Sequence, residues 1–128
     1  MKKTIVIVLF VLLTAGLSIN SGCKKDKWFD ITGIWDFYVT LDANDFIWTY
    51  SFLGNDNSGV VSYEGQELGT YSVINNSVSI TLEYYDEDDD YVVEVYNGYF
   101  DSRDQISGTI TYTIAGWGSI TGTWIAYR

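Results

Sequence analysis

The chain contains no histidine and a single cysteine. Without an imidazole, Ser-His-Asp and Cys-His catalysis lose their base. The usual zinc sites lose their nitrogen and sulfur ligands together. One cysteine also makes no internal disulfide, so packing alone must hold the fold. Proline is absent, so no strand is demoted to an edge by one. Basic residues are scarce: 7 Lys and Arg stand against 17 Asp and Glu, a net charge of −10. Such a surface repels phosphate, which argues against a nucleic-acid partner. The expectation is a non-enzymatic protein with no metal site and no cofactor.

Long apolar runs are almost missing too. The one that exists, residues 5–17, is interrupted in its later part only by Thr14 and Gly16. A membrane span needs about 20 apolar residues. This run is shorter and follows Lys2 and Lys3, as a secretory h-region does. Next comes INSGC, ending at Cys23. Ser21 and Gly22 before a lone Cys resemble a bacterial lipobox, with Asn20 where that motif usually carries Leu. The resemblance implies cleavage before Cys23, acylation of its thiol by palmitate-type chains, and the membrane as partner through that anchor. Stable anchoring takes two or more acyl chains, each buried methylene contributing about 0.8 kcal/mol. Lys24 follows the Cys in place of the Asp of inner-membrane retention, which implies an outer-membrane lipoprotein of a Gram-negative envelope. CKKD also resembles, faintly, the Lys-plus-acid export signal of Bacteroidetes-type lipoproteins. The chain therefore divides into a signal peptide (1–22), a lipidated tether (23–30) and one folded domain (31–128). Beyond residue 22 five bases face all 17 acids, so the mature charge is 5 − 17 = −12. Those acids read as solubility and repulsion between neighbours on a crowded membrane.

No stretch of the mature chain sustains a period of 3.6. Short β-branched and aromatic runs alternate with Gly, Asn and Asp clusters, which predicts strands. Eight are expected: 33–41, 45–53, 60–64, 68–74, 77–85, 91–100, 105–114 and 120–128. In the first, Trp35, Phe37, Val39 and Leu41 share one face. In the second, Phe46, Trp48, Tyr50 and Phe52 do; in the fifth, Val78, Ile80, Leu82 and Tyr84; in the seventh, Ile106, Gly108, Ile110, Tyr112 and Ile114. The sixth strand is open in register, because Asn97 and Gly98 are candidates for a bulge that switches faces. Alternation puts Asp36 outside, and Glu94 is expected outside as well. The short connections favour antiparallel neighbours in up-and-down order. The fold class is all-β, an eight-stranded antiparallel barrel, with a two-sheet sandwich as the alternative.

The domain opens with ITGIW (31–35) and closes with ITGTW (120–124). A closed sheet would make the strands carrying these phrases neighbours. Gly33 and Gly122 would then allow close packing where the barrel floor curls, and Trp35 and Trp124 would plug that end. A Gly-x-Trp opening the first of eight antiparallel strands resembles the calycin group: lipocalins, fatty-acid-binding proteins and avidins. Within it the chain is most similar to small lipocalin-like lipoproteins. The resemblance implies a basic residue packed across the first Trp, and Arg128 is the candidate. The chain departs from larger lipocalins in lacking their C-terminal helix, and from fatty-acid binders in lacking a helical lid. It offers no convincing set of biotin-contacting polar groups, so avidin activity is not carried over.

An eight-stranded barrel is either filled by its side chains or holds one small ligand. So many large rings imply a small interior, suited to a compact apolar or aromatic ligand entering away from Trp35. Trp48, Tyr50, Tyr71 and Tyr112 are the candidate lining residues, with plain core packing as the alternative role. Asp86 to Asp90 form a run of five acids. It lacks the Asp-x-Asp-x-Asp-Gly frame with a distal Glu that calcium loops use, so it reads as a solvated hairpin tip. Two functions remain in play. One is a lipid-anchored envelope barrel binding a small ligand. The other is an envelope scaffold or inhibitor acting through loops at the barrel mouth.

Overall fold

The computed structural model describes residues 29–128. They form eight strands: β1 (Gly33–Leu41), β2 (Asn44–Gly54), β3 (Ser58–Tyr63), β4 (Gln66–Ile74), β5 (Ser77–Tyr85), β6 (Tyr91–Ser102), β7 (Gln105–Ile114) and β8 (Gly118–Tyr127). Each pairs antiparallel with the next, and β1 pairs with β8, so the sheet closes into a barrel. Closure pairs the first and last strands, which an open sheet would leave as free edges. It also decides between barrel and sandwich, because a two-sheet arrangement would leave β1 and β8 unjoined.

The turns follow from their residues. Asp42 and Ala43 both take positive φ, 49° and 66°, in the two-residue β1–β2 connection. Glu64 and Gly65 do the same between β3 and β4, at 50° and 82°. Paired positive φ values match the right-handed twist of the strands they join. Up-and-down order sends alternate turns to opposite ends. The β1–β2, β3–β4, β5–β6 and β7–β8 turns share one end, called the mouth below. The chain termini and the other three turns share the floor.

Phe29 packs on Phe100 at the floor, with ring centroids 5.4 Å apart, and Phe100 meets Trp35 edge-on at 6.1 Å. The indole N–H of Trp35 donates to Ile31 O at 2.8 Å, so its burial leaves no polar atom unpaired. Arg128 lies over the Trp35 ring, 4.6 Å from its centroid. Its Nη1 donates to the carbonyls of Asp30 and Thr32, its Nη2 to that of Arg103, and its Nε to Asp104. A cation held against a ring in this way contributes about 0.5–2 kcal/mol. One side chain thus ties the start of the domain to its end.

Above this floor the interior is lined with buried aromatic rings. Phe37 stacks on Trp124 at 4.9 Å and 6°, and meets Tyr50 and Tyr96 edge-on at 5.1 and 5.4 Å. Such geometries suit the ring quadrupoles. Truncating a ring buried like Phe37 costs about 3–5 kcal/mol.

Two sequence expectations are corrected here. The repeated phrases do not meet at one level. The antiparallel β1–β8 register sets Val39 opposite Trp124 and Leu41 opposite Gly122. Trp124 therefore sits mid-barrel and Gly122 lies toward the mouth, while Trp35 and Gly33 stay at the floor. Gly33 has open space around it and serves a φ of 118°, whereas a Cβ on Gly122 would lie 2.0 Å from Thr40 O. Second, β6 carries no bulge at Asn97 and Gly98. Its ladder runs unbroken there, with Asn97 opposite Thr109 and Gly98 opposite Gly108. Gly98 instead makes room for an indole: a Cβ there would stand 2.7 Å from Cζ2 of Trp124.

Candidate functional site

An unbroken β6 has a consequence for chemistry. Val92, Glu94, Tyr96, Gly98 and Phe100 all face inward, and Glu94 is 1% exposed. The carboxyl group expected outside is inside the barrel. Hydrophobicity alone could not choose the face, because Tyr91, Val93, Val95 and Tyr99 on the other side are as apolar. The available signal was Gly98, whose natural partner across the ladder is the inward Gly108.

Burying a carboxylate is costly unless hydrogen bonds replace its water. Here tyrosines supply them. Tyr84 on β5 donates to Glu94 Oε2. Tyr96 donates to Oε1 at 2.6 Å. The hydroxyls of Tyr50 on β2 and Tyr96 are 3.3 Å apart. Tyr112 on β7 stands directly opposite Glu94 in the ladder. A phenol has one proton. Tyr84 and Tyr96 each direct theirs to the Glu94 carboxyl group.

Tyrosine ionisation is suppressed accordingly. Burial first, and the Glu94 charge second, push the hydroxyls of Tyr50, Tyr84 and Tyr96 well above their ordinary range. Burial also raises Tyr112, which is only half-buried. Among the described residues every buried side-chain nitrogen and oxygen has a partner.

The walls above this polar floor are apolar. β3 pairs with β2 only along Ser51–Gly54, so β2 overhangs the β3–β4 turn from Asn44 to Tyr50. Phe46 and Trp48 lie on the overhang's inner face, stacked at 5.3 Å and 12°. Both fall in the inward alternation of the sequence, yet Phe46 is exposed and Trp48 half-buried, because the strand runs past the barrel rim. Tyr63 packs against Tyr50 at 5.8 Å, and Ile114 closes another side.

The four candidate lining residues thus separate. Tyr50 belongs to the network, Tyr112 stands opposite Glu94 in the β6–β7 ladder, and Trp48 lies at the rim. Tyr71 is a correction. It lies at the floor end, where its hydroxyl donates to Asn55 O at 2.7 Å and its ring packs on Phe52. It latches the β2–β3 turn, and burial pushes its hydroxyl up to about 12. Glu94, Tyr84 and Tyr96 take the place it was expected to fill. Cys23 lies outside the described residues.

At the mouth, Asp86 Oδ1 accepts the backbone N–H groups of Asp88 and Asp90 at 2.9 and 3.0 Å. The carboxylates of Asp86, Asp88 and Asp90 each bring one oxygen within 4.8 Å of the others. Turn capping accounts for this convergence.

The fold resembles two solved structures, each at 15% identity and over 77% of this chain. One is a redesigned β-barrel, TM-score 0.55, covered over 90% of its length. The other is EF1p2_mFAP2b bound to DFHBI, TM-score 0.59, covered over 93%. No protein-family model matches the sequence, and a search of curated proteins finds no match. What these likenesses establish is the fold: a small, closed, eight-stranded antiparallel β-barrel.

Proposed function

We propose that this protein is a lipid-anchored, non-catalytic barrel of the cell envelope that binds a compact aromatic ligand at its mouth. The observation that carries the reading is the aromatic rim at the end away from the termini, where Phe46 stacks on Trp48 at 5.3 Å above the buried layer of Glu94 and its tyrosines. Ligand pockets commonly combine apolar walls with a few convergent polar groups. A barrel of similar fold binds the small molecule DFHBI, which is compatible with such use. Below the network the rings around Phe37 fill the interior, so a ligand would sit at the rim and not deep in the barrel.

Anchoring rests on the run at 5–17 and on Cys23. Phe29 and Arg128 pin the start of the domain to the floor. Five residues then separate Cys23 from Phe29, a reach of at most about 20 Å. An acylated Cys23 would hold the floor toward the bilayer and turn the mouth away from it. Metabolic labelling with palmitate tests the anchor, with label expected on the native chain and none on Cys23→Ser. Tryptophan fluorescence across a panel of flat aromatic compounds tests the mouth, because Trp48 stands at the rim. A silent panel would remove the ligand reading.

A second reading is an interaction protein working through the mouth turns. Trp117, on the β7–β8 turn, favours it, being 79% exposed. A partner cross-linked to the native chain and lost in Trp117→Ser would support this reading over the first.

A further inference from the structure

The β2 overhang carries more than rim rings. Its ladder with β3 covers only Ser51–Gly54, so the stretch from Asn44 to Tyr50 has a partner strand on the β1 side alone. Leu41 and Asn44 flank the two-residue turn and form the first hydrogen-bonded pair of the hairpin. Such pairs alternate with non-bonded ones along an antiparallel ladder. The N–H and C=O groups of Asp45, Ile47 and Thr49 therefore point away from β1, to the side on which Ser51 meets β3. Among the described residues no strand pairs with them. The rim of the closed barrel thus keeps a short local edge. Lys, Pro or a bulge usually blunts an edge. This one has no Lys and no Pro, and its ladder to β1 is unbroken. Its one charged side chain, Asp45, accepts from the Thr40 hydroxyl at 2.8 Å. Ile47 at its centre is 64% exposed.

The charge around the edge has one sign. Among the described residues the two bases, Arg103 and Arg128, lie at the floor. The mouth turns carry acids: Asp42 above the edge, Glu64 below it, and the run from Asp86 to Asp90. A second copy would bring the same acids against these. A basic chain complements them.

We propose that the β2 edge takes up an extended basic segment of another protein as an added strand, antiparallel to β2 and bonded to Asp45, Ile47 and Thr49. The segment continues the line of β3. In that direction its amino end comes down beside Glu64, where a parallel segment would set its carboxyl end. The ladder uses backbone groups and not the rim rings, so this site stands apart from the small-ligand site.

The probe is the peptide Lys-Val-Thr-Val-Lys, with a free amino end and an amidated carboxyl end. It is titrated into the purified full chain, and binding is read by calorimetry and amide hydrogen exchange. Its first lysine falls opposite Thr49, its threonine opposite Ile47 and its last lysine opposite Asp45. Exchange at Ile47 and Thr49 should slow on binding, while Phe46 and Trp48, already bonded to β1, should change little. N-methylation of the threonine should weaken binding about 10-fold, the loss of one backbone hydrogen bond. N-methylation of the second valine should not, because that N–H points away from β2. Glu-Val-Thr-Val-Glu should bind at least about 10-fold more weakly, through like-charge repulsion. Ile47→Pro removes an edge N–H at no cost to the β1 ladder and should weaken the basic peptide as well.

Equal effects of the two N-methyl groups, or protection only outside residues 45–49, would overturn the added strand. Equal binding of the acidic peptide would overturn the basic partner. Protection of Ile47 in the free chain, rising with protein concentration, would give the edge to a second copy and overturn the proposal. So would no binding of the basic peptide at about 1 mM, and the rim would remain open to its own aromatic panel.

Discussion

Tyr96→Phe removes one oxygen and nothing else. The ring keeps its edge-on contacts with Phe37 at 5.4 Å and Trp124 at 5.5 Å. Two groups lose a partner. Glu94 Oε1 loses its 2.6 Å donor, and the Tyr50 hydroxyl loses the hydroxyl 3.3 Å away. Glu94 and Tyr50 are 1% and 3% exposed, so water does not reach either. A hydrogen bond to a charged group is worth about 1.5–3 kcal/mol, and an unsatisfied buried hydroxyl costs about 1–3 kcal/mol. With partial relaxation the expected loss is about 3 kcal/mol. For a domain of this size Tm should fall by about 12–24 °C. Urea unfolding followed by tryptophan fluorescence and far-ultraviolet circular dichroism measures it, as a lower midpoint at unchanged slope. The companion variant removes the whole network: Tyr50→Phe, Tyr84→Phe and Tyr96→Phe with Glu94→Met. Replacing all partners by apolar groups of similar shape is often neutral or stabilising, so it should recover most of what the single change loses. A single change costing under about 0.5 kcal/mol, the size of an ordinary surface substitution, would refute the reasoning. So would a multiple variant less stable than the single one.

Arg128→Ala should cost about 1–3 kcal/mol, combining the lost ring contact with lost hydrogen bonds to three backbone carbonyls. Hydrogen exchange at residues 29–32 should rise with it, and Arg128→Lys should not restore protection, because an ammonium cannot reproduce the guanidinium fork. Gly98→Ala should lose about 1–3 kcal/mol by overpacking, since its Cβ would meet Ser107 O at 2.3 Å as well as the Trp124 ring; a thermal melt against the native chain measures it. The raised Tyr50, Tyr84 and Tyr96 hydroxyls predict alkaline unfolding. A raised folded value gives stability that is complete below the unfolded value of about 10 and is lost as pH climbs toward the folded one. Three such groups together should remove about 4 kcal/mol per pH unit above pH 10, visible as a steep fall in urea midpoint between pH 10 and 12.

Much of this molecule was legible in its order of residues. Val78, Ile80, Leu82 and Tyr84 alternate so cleanly that β5 has only one possible inner face, and the structure buries all four. The strand follows a two-residue turn from β4 in which Asn75 takes a φ of 57°. β6 was not legible in this way. Its two faces carry similar apolar content, so Glu94 was assigned to solvent. The acidic connection before it fixes no register by itself. Tyr71 was placed with the lining residues because alternation says only that it points inward, not at what height.

The sequence by itself determined the strands, their up-and-down order and most of the inward residues, because a period of two is a local property of the chain. It also limited the chemistry, since no fold can supply an imidazole the chain lacks. Only the closed barrel decided which groups share a level. Tyr50 and Tyr96 are 46 residues apart, yet their hydroxyls are 3.3 Å apart. Trp35 and Trp124 carry the same local phrase yet stand at different heights, because antiparallel β1 and β8 run past one another. Relative height and facing between distant strands are set by how the hydrogen-bond ladder closes. That is a property of the whole sheet, written in no single stretch of it.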